Sequence, residues 1–146
     1  MAKNIARDGE GANCLLEVLV EGAKNNSDAI KVAKSICNSS LVKTAIHGCD
    51  PNWGRIISAA GNSGVEFNLN EVDLYIGDYQ ILAKGILIQY DKKNVTDYMR
   101  SKMKGKYLVE DILRIVINLN SGQSKGTAWG CDLSKKYVEI NSEYTT

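Results

Sequence analysis

The chain has 146 residues, 44% hydrophobic and 24% charged, which suits one domain with a core of its own. Eighteen Lys and Arg against seventeen Asp and Glu leave a formal net charge of +1, so nothing electrostatic points to nucleic acid or an anionic membrane as partner. No apolar run approaches the ~20 residues of a membrane helix, and no basic-then-apolar leader opens the sequence, so the expected location is cytoplasmic.

Residues 2–7 read as the end of a helix, with Arg7 suited to the C-terminal dipole and Gly9 able to close it. A chain that opens in mid-helix suggests a cut upstream. The apolar run 14–20 is a strand. Ser27 then caps a helix whose inward face is Ala29, Ile30, Val32, Ala33, Ile36 and Cys37, and Asn38-Ser39-Ser40 ends it. Residues 41–46 are expected to form a short strand with His47 at its end in a structural role. Asp50 caps the next helix with Pro51 in its first position; Ile56, Ile57, Ala59 and Ala60 pack inward, and the run 61–64 breaks it.

Segments 72–76 and 80–89 are β-type, joined at Gly77-Asp78-Tyr79 as a hairpin. A short polar helix follows over 94–102, capped by Asn94 or Thr96. Residues 112–118 form a strand, 127–130 a shorter one, and 133–144 a terminal helix begun by Asp132 or Ser134. Strands and helices mix without a regular β-α-β repeat, so the expected class is α+β, a mixed sheet packed with helices, with 1–146 as a single unit.

The four cysteines, at 14, 37, 49 and 131, include no C-x-x-C pair, and His47 is the only histidine, so neither a metal site nor a cofactor is expected. Cys14 and Cys37 sit in apolar patterns and read as buried small hydrophobes. The basic cluster Lys102 to Tyr107 reads as a solvated loop.

Three stretches invite chemistry. In Asp8-Gly9-Glu10-Gly11-Ala12 two glycines clear space around a carboxylate; by residues alone this is either a substrate contact or a solvated turn. Asp50-Pro51-Asn52-Trp53-Gly54-Arg55 is a helix start whose N–H groups could hold an anion, but a capped helix with Trp53 packed in the core is the preferred reading, and the stretch is assigned no chemistry. Asn141 and Thr146 present neutral hydrogen-bonding groups suited to an amino acid's carboxylate or amide, at an end of chain that is ordinarily frayed.

Together these stretches resemble the ornithine acetyltransferase family, the bifunctional glutamate N-acetyltransferases. The resemblance rests on Asp8 to Ala12, on Lys43-Thr44-Ala45-Ile46-His47-Gly48-Cys49-Asp50-Pro51-Asn52-Trp53-Gly54-Arg55, and on Ile140-Asn141-Ser142-Glu143-Tyr144-Thr145-Thr146. Trp129-Gly130-Cys131-Asp132-Leu133 and Tyr137-Val138-Glu139-Ile140 keep the flanking pattern, while Asn13 departs from a common threonine. It covers 2–146 and corresponds to the C-terminal part of the family's β chain.

That resemblance implies the C-terminal lobe of the sandwich fold shared with self-processing aminopeptidases, with the two chain ends reaching the catalytic cleft. It implies acetyl transfer from N-acetylornithine to glutamate in arginine biosynthesis, with acetyl-CoA as a further donor in some members. The nucleophile there is a threonine freed by self-cleavage, upstream of everything in this chain, so no catalytic residue is expected here. Glu10, Asn141 and Thr146 match substrate-binding positions. The implied partners are N-acetylornithine, ornithine, glutamate, the upstream α chain and the start of the β chain, in an oligomer of α and β chains. A related hydrolase, or a non-catalytic assembly module, is the alternative.

Overall fold

In a computed structural model, the structure describes residues 14–103 and 112–131. The helices expected over 2–7 and 133–144 lie outside them. Strand β1 (Leu15–Ala23) alternates: Leu16, Val18 and Val20 are fully buried on one face, while Leu15, Glu17 and Leu19 point to the other. Among the described residues it lies inside a six-stranded mixed sheet of order β4-β3-β2-β5-β1-β6. β1 runs parallel to β5 (Ile112–Asn118) and antiparallel to β6 (Ser124–Cys131), which extends beyond the expected 127–130 at both ends.

Helix α1 (Asn26–Asn38) buries Ala29, Val32, Ala33, Ile36 and Cys37 as expected. Its cap is Asn25, whose side chain accepts from the Asp28 amide at 2.8 Å, two residues before the expected Ser27. Ile30 is 39% exposed because α1 overlies the outermost strand there. A Cβ on Gly126 of β6 would come within 2.8 Å of Ile30, so that glycine lets helix and strand approach closely.

Residues 41–46 are helical, not a strand. Helix α2 (Ser40–His47) is capped by Ser39, whose hydroxyl accepts from the Val42 amide at 3.2 Å. Its apolar residues Val42, Ala45 and Ile46 recur at helical spacing and are buried. His47 therefore occupies the last turn of a helix rather than a strand end.

Helix α3 (Trp53–Gly61) begins later than expected. Its cap is Asn52, which accepts from the Arg55 amide at 3.1 Å, so Pro51 precedes the helix. Ile56, Ala59 and Ala60 are buried, with Ile57 packed partly against them. The Ser35 hydroxyl donates to the Ala59 carbonyl at 2.6 Å and ties α1 to α3.

The hairpin joins β2 (Asp73–Ile76) to β3 (Tyr79–Ala83) through Gly77-Asp78, and the expected 80–89 segment splits before β4 (Ile86–Leu87). Gly77 adopts φ +59°, and a Cβ there would meet the Tyr98 ring at 2.7 Å. Helix α4 (Lys92–Ser101) is capped by Asp91 rather than Asn94 or Thr96. Val95 and Met99 of α4 join α1, α2 and α3 in one core against Leu16, Val18, Leu74, Ile76, Leu113 and Ile115. The class is α+β, with a mixed sheet packed with helices. Leu15, Ile112 and Cys131 form a separate small apolar cluster with Trp129.

Candidate functional site

Glu10, Asn141 and Thr146 lie outside the described residues, as does the basic cluster from residue 104 onward. The structure does show where the chain segments that carry them begin. Leu15 pairs with Ile112 on one side and with Cys131 on the other. The start of β1, the start of β5 and the end of β6 therefore stand side by side at one end of the sheet.

Three charged or polar side chains cross-link those strands. Glu17 pairs in register with Arg114 of β5 and with Trp129 of β6. The Arg114 Nε donates to Glu17 Oε2 at 2.6 Å, and the Trp129 Nε1 donates to Glu17 Oε1 at 2.9 Å. The Glu17 side chain is only 14% exposed, so the carboxylate depends on these donors. Contacts to an ionised acceptor of this kind contribute roughly 1.5–3 kcal/mol where solvent is excluded. The exposed guanidinium loses part of that to screening.

Beside Arg114 lies an open cleft of about 230 Å³, lined by Gly77, Asp78, Tyr98, Lys102, Ile112 and Arg114. The Arg114 amide donates to the Tyr98 hydroxyl at 3.2 Å, extending the hydrogen-bonding edge of β5 past the end of β2. Burial pushes the Tyr98 phenol up, opposed by that amide and by the Arg114 charge. The Lys102 ammonium lies 5.5 Å from the centre of the Tyr98 ring.

Lys43 of α2 is 2% exposed, the buried charged side chain among the described residues. Burial lowers its pKa to about 8, opposed by its interactions with Cys37 and Cys131. Burial pushes the Cys37 thiol up to about 12, with Lys43 acting against it. Such a thiol is inert as a nucleophile near neutral pH. Cys14 and Cys37 are buried, as their apolar patterns suggest. Among the described residues no group of three or more His, Cys, Asp or Glu is arranged to hold a metal ion, and no helix is long and apolar enough to cross a membrane.

A second cleft, about 290 Å³, opens at the start of α3 between Asp50, Pro51, Asn52, Trp53, Tyr90 and Lys92. Trp53 lines it and is 38% exposed, so it is not the core residue its aromatic character suggests. The first turn of α3 directs that ring outward, while Ile56, Ala59 and Ala60 take the inward face.

Glu17, Arg114, Trp129 and Lys43 are absent from the sequence-derived candidates. A signal for two of them was present. Glu17 and Arg114 each interrupt an apolar strand at the parity that faces away from the helices. Their pairing was invisible because it needs the register between strands about 100 residues apart.

The sequence profile of the ArgJ family matches residues 1–146, the whole chain. The chain belongs to the ArgJ family. This bears out the resemblance to the ornithine acetyltransferases. Over all 146 residues it is 80% identical to the arginine biosynthesis bifunctional protein ArgJ of Prochlorococcus marinus subsp. pastoris, of which it covers 36%. It is 51% identical to the ArgJ protein of Dehalococcoides mccartyi, covering 34% of that protein. The chain thus spans about a third of the length of these curated relatives. The crystal structure of the ArgJ protein of Bacillus halodurans superposes with a TM-score of 0.84 at 46% identity, over 98% of this chain and 63% of that one. At that identity, the six-stranded sheet and its helices represent an ArgJ fold.

Proposed function

We propose that this chain is the C-terminal part of an acetyltransferase of arginine biosynthesis that moves an acetyl group from N-acetylornithine to glutamate. The observation that carries this reading is the match, over all 146 residues of this chain, to ArgJ proteins named for that pathway. In the proposed reaction a threonine hydroxyl supplied by the upstream part attacks the acetyl carbonyl and releases ornithine. The glutamate amine then attacks the acetyl-threonine ester. Fixed hydrogen-bond donors stabilise each tetrahedral oxyanion. Acetyl-CoA is an additional donor to be tested, the assembly is an oligomer of α and β chains, and its location is the cytoplasm. Residues 1–146 act within it as one unit.

Glu10 pairs with a substrate ammonium in this reading, and Asn141 and Thr146 hold its polar groups. The register at the sheet end supports their convergence. Glu10 is four residues before Cys14, which keeps it within about 14 Å of that end of the sheet. Asn141 is ten residues beyond Cys131, within about 35 Å of the same place.

The test uses the complete gene product, with N-acetylornithine as donor and glutamate as acceptor. Ornithine and N-acetylglutamate are expected in equal amounts. Glu10→Ala is expected to lower kcat/KM by roughly 10- to 150-fold, the equivalent of one charge-assisted contact. Unchanged kinetics would remove Glu10 from the site. Release of acetate without N-acetylglutamate would instead favour a hydrolase of the related self-processing aminopeptidase type.

A further inference from the structure

The geometry points to Glu17 as a positioning residue: its carboxylate, clasping Arg114 and Trp129, holds in fixed relation the strands that lead into the substrate-binding segments. The inference rests on the proposed acetyltransferase reading for its kinetic consequence and on the coordinates alone for the clasp. β1 is the middle strand of the trio β5-β1-β6. Glu17 sits two residues inside the Leu15 pairing that joins all three strand ends. One carboxylate oxygen is committed to Arg114 at 2.6 Å and the other to Trp129 at 2.9 Å.

The consequence follows from where each strand leads. Upstream, β1 connects within a few residues to Glu10; downstream, β6 ends at Cys131, two residues past Trp129, and leads toward Asn141 and Thr146. Among the described residues β6 pairs with β1 alone, so the register with β1 places its last residues. The Trp129 side chain also closes the small apolar cluster of Leu15, Ile112 and Cys131. An indole fixed at its nitrogen and packed against that cluster has little freedom left. Weakening that anchor would let the end of β6 shift relative to β1, and a misplacement of about 1 Å is enough to weaken binding groups many residues away. Arg114, more than half exposed, orients the carboxylate rather than the ring.

The experiment compares Glu17→Leu, Trp129→Phe and the double variant with wild type in the complete gene product. Three measurements are made: thermal unfolding, kcat and KM for N-acetylornithine, and the rate of tryptic cleavage at Lys125 of β6. Trp129→Phe keeps the aromatic packing and deletes only the donor, so it carries the test should Glu17→Leu fail to fold. We expect a KM increase on the order of tenfold with kcat changed less than about threefold. Cleavage is expected to accelerate, and the double variant to be no worse than Glu17→Leu alone. An active wild type whose Trp129→Phe variant keeps its KM overturns the positioning role, whatever the cleavage rate. A wild type that transfers no acetyl group, with cleavage still accelerated by either substitution, refutes the acetyltransferase reading and leaves the clasp standing. Unchanged cleavage with unchanged KM refutes the clasp.

Discussion

Lys43 carries a charge in a place that disfavours it. Burial holds its pKa near 8, against 10.5 for an ordinary lysine. Between those values an unfolded chain keeps a proton that the folded protein has released, so this group makes stability rise with pH across the window. Below about pH 8 both states are charged and the burial penalty is fully present. Lys43→Met, similar in length and apolar, removes that titration, so the difference in urea-unfolding stability between the two proteins is expected to change with pH. Wild type should gain on the variant as pH rises from about 8 toward about 10, where wild-type Lys43 is already neutral in the folded state. Cys37 acts in the opposite sense above its ordinary pKa of 9.0, because the folded protein holds its proton up to about 12. Comparing the two proteins at each pH largely cancels that contribution. A difference independent of pH would show that packing, not charge, separates them.

Helix α2 shows how one short element depends on one cap. Eight residues are too few to be stable as an isolated helix, so α2 relies on its buried face and on Ser39. Ser39→Ala is expected to lower unfolding stability by about 0.5–2 kcal/mol, read from the urea midpoint, and Ser40→Ala by far less. Equal losses in the two variants would mean that the cap does not stabilise the helix. The same element explains what local pattern leaves ambiguous. Over six residues, the apolar positions Leu41, Val42, Ala45 and Ile46 fit a strand or a helix, and β-branched character tilts the reading toward a strand. Packing decides it, by burying Val42, Ala45 and Ile46 on one face and leaving Leu41 exposed. Longer patterns carried enough periods to be legible: the face of α1 apart from Ile30, which is exposed, the run of β1, and the alternation of β5 stand as expected. Caps were less legible, because Asn25, Asn52 and Asp91 compete with equally suitable polar neighbours one to five residues away.

At the scale of the whole molecule, the chain spans about a third of the length of its curated relatives. In the proposed mechanism the nucleophile is a threonine supplied by the part of the enzyme that this chain does not span. The purified 146-residue protein is accordingly expected to show no acetyl transfer between N-acetylornithine and glutamate. Co-expression with the upstream part should restore it; turnover by the 146-residue protein alone would place a nucleophile within it. Family membership, the α+β class and most elements were written in contiguous residues, because motifs and hydrophobic periods are local properties of a chain. The adjacency of residues 15, 112 and 131, and the Glu17 clasp that reinforces it, were settled only by folding. Strand order and register arise when distant segments bury their apolar faces against a shared helical layer, and no stretch of sequence read by itself contains that choice.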